Sequence, residues 1–208
     1  MKNMIRTIRY LVTFCLVILA GCGSSPPVHY YALETMDNRV AVDAEGSPIL
    51  AVGAFRMPEY LNRSQMVMRG SGAEIIVDDF NRWAEPLDDS IHRVLASNLD
   101  VLLESVVVVA YPSSAVLDID YRLIGRFDRF TADQDGLVVL DAQWGIANST
   151  GVGRLSPRRV RFESQATRPD DPGSIAQAMS NVLAQFCRDI AGEIDSIGLD
   201  PANGEEAL

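Results

Sequence analysis

The chain is 208 residues long; 48% of its residues are hydrophobic, 22% are charged, and the formal net charge is −10. Three of the 18 basic residues and none of the 28 acidic ones lie in residues 1–21, so the rest of the chain has 15 basic residues and a net charge of −13. So acidic a chain argues against nucleic-acid binding, where phosphate neutralisation dominates affinity, and against electrostatic docking to anionic lipid.

Residues 1–21 have the organisation of a secretory signal peptide. Lys2, Arg6 and Arg9 precede an apolar run over residues 10–20, which is shorter than the roughly 20 residues that a membrane-spanning helix needs. The run ends in Leu-Ala-Gly-Cys, which resembles the lipobox of bacterial lipoproteins. We therefore expect cleavage before Cys22, a diacylglyceryl group on its thiol and a further acyl chain, such as palmitate, on its amine. The alternative is an ordinary signal peptide with an incidental cysteine.

Residues 22–27 are predicted to be a lipidated tether. The five residues after Cys22 are Gly-Ser-Ser-Pro-Pro, and they reach at most about 18 Å. Gly23 stands where lipoproteins that stay in the inner membrane of Gram-negative bacteria typically have aspartate. The expected location is therefore the periplasmic face of the outer membrane, with the folded domain held close to the bilayer.

Cysteine usage predicts no intrachain disulfide. Cys15 leaves with the signal peptide and Cys22 is consumed by lipid, so Cys187 has no partner. Cys187 lies on an apolar helical stripe, where a small buried hydrophobic residue is the expected role and a redox function is the alternative.

Short strands are predicted for the N-terminal half. Apolar patterns indicate strands over residues 28–33 and 49–55, with a turn over residues 57–64. A hairpin follows, with residues 65–69 and 73–77 as its arms.

A first amphipathic helix is predicted to open at Pro86. Apolar residues recur at helical spacing from Leu87 to Leu102, and Asn98 is the polar interruption. Asp88 and Asp89 in the first turn suit the positive end of the helix dipole.

The C-terminal half predicts a strand over residues 106–110 and then a three-stranded antiparallel meander. Apolar residues alternate over residues 117–123, 138–146 and 160–164, which leaves one face of the meander in water. A second amphipathic helix is expected from Pro172 to Ile197, before Gly198.

Strands and helices that are segregated along the chain predict an α+β fold. We expect a single domain over residues 28–197, built as a largely antiparallel sheet with two amphipathic helices on one face. Residues 198–208 are predicted to be a disordered acidic tail.

The chain offers no evident catalytic or metal site. His29 and His92 are far apart, and the acidic pairs Asp78-Asp79 and Asp88-Asp89 lie at the ends of predicted elements. The sequence shows no nucleophile paired with a general base, and no group of metal-ligating residues at the spacing that a metal site needs. We predict a protein that is not an enzyme and needs no cofactor.

Two segments place aromatic residues beside arginines in predicted turns. The first contains Pro58, Tyr60, Leu61 and Arg63, and the second contains Arg82 and Trp83. Such residues are enriched at interface hot spots, which makes these six candidate partner contacts. The alternative is that Tyr60 and Trp83 cap the core while the arginines pair with carboxylates.

The same segments resemble the ABC-type transport auxiliary lipoproteins. Pro-Glu-Tyr-Leu-Asn-Arg over residues 58–63 and Arg-Trp-Ala-Glu-Pro-Leu over residues 82–87 match motifs of that family, although Asn62 replaces its aspartate and Ser64 its proline. Weaker matches are Tyr-Tyr-Ala-Leu after the lipobox, Arg-Phe-Asp at residues 126–128 and Leu-Asp-Ala-Gln-Trp at residues 140–144. The likeness covers roughly residues 19–197.

The resemblance implies transport without catalysis. Such lipoproteins are partners of mammalian-cell-entry (MCE) domain proteins, which form a tube across the periplasm and move phospholipid between the membranes. The expected role is docking of that tube at the outer membrane in support of membrane integrity, with ring-like self-association as a further expectation. The alternative is a lipoprotein that regulates a cell-wall synthase or belongs to another envelope-linking complex.

Overall fold

The computed structural model describes residue 6 and residues 26–36, 46–53, 55–112, 118–148 and 153–199. Cys22, most of the predicted tether and nearly all of the predicted acidic tail lie outside the described residues. The strands are β1 (His29–Tyr31), β2 (Ile49–Val52), β3 (Gln65–Arg69), β4 (Ile75–Trp83), β5 (Val107–Ala110), β6 (Tyr121–Asp133), β7 (Leu137–Asn148) and β8 (Gly153–Gln165). The helices are α1 (Leu87–Leu102) and α2 (Pro172–Ile197), and a 3-10 turn spans Glu59–Leu61.

The described strands form one eight-stranded sheet around β6. Strands β6, β7 and β8 pair antiparallel along nearly their whole lengths, which confirms the predicted meander. The other edge of β6 is shared, because β2 pairs with residues 121–123 and β3 with residues 132–133. The sheet therefore forks into a β2–β5 branch and a β3–β4–β1 branch.

The long ladders are antiparallel, whereas four short pairings are parallel: β1–β4, β2–β5, β2–β6 and β3–β6. The predicted α+β, largely antiparallel single domain is thus confirmed, with a mixed sheet as a refinement. Strand β2 ends at Val52, before the predicted residue 55, although the chain keeps following β6 through a Gly53 N–H to Leu123 O bond of 2.9 Å. Strands β4 and β6 extend beyond their predicted C-terminal limits, to Trp83 and Asp133.

Both helices pack against each other and against the sheet. Phe186 on α2 is the centre of an aromatic cluster, with ring centroids 5.8 Å from Phe55 and Phe127 and 6.4 Å from Trp144. Gly125 makes this packing possible, because a Cβ atom there would lie 2.2 Å from the Phe55 ring. The apolar stripes of the two predicted helices are therefore the buried faces.

The ends of α2 follow the sequence closely. The Asp171 carboxylate accepts the backbone N–H groups of Gly173 and Ser174, which caps the first turn, and Pro172 occupies a position where no N–H is needed. Gly198 ends the helix with a φ of 61°, a value that glycine adopts without strain.

The chain that leaves β1 is held by one polar group from each helix. The Met36 N–H donates to Asn98 Oδ1 on α1 at 2.7 Å, and the Glu34 N–H donates to Ser180 Oγ on α2 at 3.0 Å. Leu33, which directly precedes Glu34, is buried in the core. The polar interruption at Asn98 is therefore a buried connection to the N-terminal segment.

Candidate partner-binding surface

The first candidate segment is a compact turn fixed by its own backbone. The Leu61 N–H donates to Pro58 O at 2.9 Å, and the Asn62 N–H donates to Glu59 O at 3.1 Å. Leu61 is 1% exposed and anchors the turn in the core, whereas Tyr60 packs only partly against it. Arg63 is exposed. The turn therefore presents Tyr60 and Arg63 from a rigid base.

The second candidate segment was predicted to be a turn, but Arg82 and Trp83 are the last two residues of β4, and the chain then leads into α1. Trp83 is 4% exposed, and the Ala84 N–H donates to Tyr31 O at 2.8 Å. Arg93 Nη2 lies 2.5 Å from Glu85 Oε1, and this hydrogen bond holds the pKa of Glu85 below its ordinary value. An ion pair between the segment and α1 thus fixes the helix start, a contact that the sequence pattern does not single out.

The β3–β4 pairing brings the two segments together. The Trp83 N–H donates to Ser64 O at 2.7 Å, and Gln65 pairs with Arg82 across the strands. This bond uses the backbone carbonyl of Ser64, which the proline of the family pattern would also supply. The departure at Ser64 therefore preserves the contact between the two segments.

The six candidate residues divide by burial. Pro58, Tyr60 and Arg82 are half-buried and Arg63 is exposed, whereas Leu61 and Trp83 belong to the core. The interpretation of Trp83 as a residue that caps the core is confirmed.

The alternative to partner contact assumed that Arg63 and Arg82 pair with carboxylates, and the structure shows a different environment for them. Arg82 Nε donates to the backbone oxygen of Asp79 at 3.1 Å. Within residues 55–112, neither Arg63 nor Arg82 forms an ion pair with a carboxylate. The part of the alternative in which a carboxylate neutralises each arginine is therefore not seen within this range.

The groups that could carry chemistry are dispersed. His92 Nε2 lies 2.6 Å from Val52 O, so its imidazole joins α1 to β2. Across the described ranges, no three His, Cys, Asp or Glu side chains are grouped to hold a metal ion. Burial raises the pKa of the Cys187 thiol to about 12, as expected for an unreactive core residue.

The described part of the chain contains two helices and an open groove beside the first of them. No described helix combines the length and apolarity needed to cross a membrane. An open groove beside α1 is lined by Asp89, His92 and Arg93 and by Val108 of β5. Its charged walls differ from the enclosed apolar cavity that would carry an acyl chain.

These observations define an α+β domain that carries an aromatic and arginine surface on a 3-10 turn and the end of β4. Comparison with known families matches residues 31–191 to the ABC-type transport auxiliary lipoprotein component. The chain belongs to this family, as its motifs predict.

Similar proteins cover nearly the whole chain. The intermembrane transport lipoprotein PqiC of Escherichia coli (strain K12) is 28% identical over 188 residues, which are 89% of this chain and 97% of that protein. The protein of the same name from Shigella flexneri matches equally.

Solved structures share the fold. An uncharacterized protein is 25% identical with a TM-score of 0.68, and the match covers 81% of this chain and 99% of that one. Protein XCC0632 from Xanthomonas campestris is 18% identical with a TM-score of 0.62 over 82% of this chain and 100% of its own.

Proposed function

We propose that this chain is the outer-membrane lipoprotein of an MCE-type intermembrane phospholipid transport system. The observation that carries the proposal is the match over 97% of a protein named intermembrane transport lipoprotein, together with family membership. The role is structural, without catalysis or a cofactor. The lipoprotein receives the distal end of a periplasm-spanning MCE tube and thereby supports membrane integrity.

The anchor of this arrangement is Cys22, lipidated after removal of residues 1–21. Several acyl chains hold a protein on a bilayer stably, whereas a single chain does so only marginally. Gly23 directs the lipoprotein to the outer membrane. Because residues 23–27 reach at most about 18 Å, the domain stays at that membrane and its partner has to span the periplasm.

The docking surface consists of Pro58, Tyr60, Arg63 and Arg82. Tyrosine and arginine dominate interface hot spots, because each combines contact area with directed hydrogen bonds. Leu61 and Trp83 support this surface from within the core. A ring of these subunits would present the surface repeatedly to a tubular partner.

Affinity purification of the full-length chain from gently solubilised membranes tests this proposal, with mass spectrometry of the proteins that accompany it. We expect an MCE-domain protein to co-purify with the wild type. Recovery of a cell-wall synthase without an MCE protein would favour the alternative role instead.

Substitutions test the docking surface itself. We expect Tyr60→Ala combined with Arg63→Ala to lose the partner while the circular dichroism spectrum stays unchanged. The matched control is Arg188→Ala, an exposed arginine on α2 that should keep the partner. Trp83→Ala is unsuitable, because emptying this core site costs about 3–5 kcal/mol. Partner recovery equal to wild type in the double variant would show that these contacts are misassigned.

A further inference from the structure

Three large apolar side chains are exposed together at the β1 edge of the sheet. Tyr30 is 64% exposed, Phe80 on β4 is 44% exposed, and Val28 directly precedes β1 at 39%. Strand β1 pairs in parallel with β4, with Tyr30 opposite Arg82 and Tyr31 opposite Trp83. Because Trp83 is buried, alternation along the strands turns Tyr30 away from the core.

A β-bulge in β4 places Phe80 beside β1. Gln65 pairs with Arg82 and Met66 pairs with Asp78, so residues 79–81 have no partner on β3. Asp78 Oδ1 accepts the N–H of Phe80 at 2.9 Å and that of Asn81 at 3.0 Å.

Strand β1 locks the same bulge from its other side. Tyr31 OH donates to Asn81 Oδ1 at 3.0 Å, and Asn81 Nδ2 donates to Asp78 Oδ2 at 2.8 Å. β-bulges change the direction in which side chains point. This bulge, fixed by these hydrogen bonds, directs the Phe80 ring into solvent. Since His29 pairs with Asn81, continuing the register by one residue sets Val28 next to Phe80.

The lipid anchor of the proposed function lies close to this edge along the chain. Val28 lies six positions after Cys22, with five residues between them, so the two are at most about 20 Å apart. The patch of Val28, Tyr30 and Phe80 is thus tied within a short radius of the anchored acyl chains. Other exposed apolar residues, such as Ile124 on β6, lie far from the anchor along the chain.

We infer that Val28, Tyr30 and Phe80 form a membrane-contacting patch that inserts at the headgroup level of the bilayer that holds the anchor. Tyrosine is enriched at membrane interfaces. Moving the exposed valine and phenylalanine side chains out of water lowers the free energy. Because the rest of the protein is strongly acidic, the contact is mainly apolar. Arg82, the cross-strand neighbour of Tyr30, is the basic group at its border and joins the patch to the docking surface. A flexible anchor alone leaves the domain free to rotate, and this second contact fixes its orientation and thus that of the docking surface.

The inference rests on lipidation of Cys22, so its test uses the full-length protein, purified after lipidation. The variants Tyr30→Trp and Phe80→Trp are reconstituted in vesicles of phosphatidylethanolamine and phosphatidylglycerol, with and without bromine on the phosphatidylethanolamine acyl chains. We expect bromine to quench most of the fluorescence that each new indole adds to the wild-type signal. The matched control is Ile124→Trp, because Ile124 is 52% exposed in the wild type. The fluorescence of its new indole should stay unquenched.

Mass spectrometry of the same preparations separates the two proposals. If Cys22 carries acyl groups but the indoles at positions 30 and 80 are no more quenched than the control, the patch does not touch lipid and the inference is overturned. Emission shifted to the blue without quenching would mean that protein covers the patch, which also overturns it. A chain without acyl groups that leaves the vesicles contradicts the anchor, and the patch inference fails with it.

Discussion

Asn98 shows how a single residue departs from a helical pattern for a structural reason. Its side chain is inaccessible to solvent, and its Oδ1 accepts the Met36 N–H. We expect Asn98→Leu to lower the free energy of unfolding by about 1–3 kcal/mol, because the N–H loses its acceptor and the amide site is overfilled. Urea titration followed by circular dichroism measures the change.

The neighbouring Ser97 supplies the control for Asn98. Ser97 is half-buried beside the open groove, so Ser97→Ala should stay within about 0.5 kcal/mol of the wild type. Equal stability of Asn98→Leu and the wild type would mean that the segment after β1 is held by Ser180 alone.

Burial also limits what single residues reveal in a sequence. The motif pattern brought out Tyr60, Arg63, Arg82 and Trp83, but it gave no means of separating the buried indole from the accessible guanidinium groups. Tyr30 and Phe80 carry no distinctive spacing. The exposure of Tyr30 depends on the register of β1 against β4, and that of Phe80 on a bulge closed by Asp78. Side-chain hydrogen bonds of this kind leave no trace in hydrophobic periodicity.

Between elements, the charges that join α2 to the meander should respond to pH. Burial raises the pKa of Asp189 on α2, and the nearby Glu193 raises it further. Arg158 on β8 and the Trp144 indole lower this pKa, but by less. Glu193 also forms an ion pair with Arg158. The folded state therefore binds the Asp189 proton more tightly than the unfolded state. This contribution is favourable at low pH and is lost as the pH rises through the folded pKa.

The sign of this linkage predicts a stabilising substitution. We expect Asp189→Asn to melt at a higher temperature than the wild type at pH 7, with the difference shrinking as the pH falls below the ordinary aspartate value of 3.8. Asp195→Asn, at an exposed position on the same helix, is the control and should show little difference at either pH. A less stable Asp189→Asn at pH 7 would show that attraction to Arg158 outweighs burial.

Elements were predictable where local chemistry defines them. The apolar stripe, Pro172 and Gly198 gave the limits of α2, and alternation gave the β6–β7–β8 meander. The Asp171 cap was found only in the structure. The parallel pairings of β2 with β5 and β6 join segments distant in sequence, and no local pattern encodes that partner choice. The extension of β4 to Trp83 likewise depends on β1, which arrives from far along the chain.

At the scale of the whole molecule, Cys187 reports on the integrity of the single core. Its thiol is inaccessible, and burial raises its pKa to about 12. If Cys22 is lipidated and residues 1–21 are removed, as proposed above, Cys187 is the one thiol left in the sequence. We expect 5,5′-dithiobis(2-nitrobenzoate) to label the folded protein at least about 1,000-fold more slowly than the unfolded chain, because labelling requires opening of the core.

An exposed thiol on the same helix calibrates the labelling experiment. Ser196 is exposed near the end of α2, so Ser196→Cys should react at the rate of an unfolded thiol while Cys187 stays protected. Protection that falls in parallel with urea-induced loss of circular dichroism would identify global unfolding as the opening event. Rapid labelling of Cys187 in the native protein would instead reveal local detachment of α2. Only in that case could Cys187 have a redox role, because burial in the core otherwise keeps its thiol unreactive.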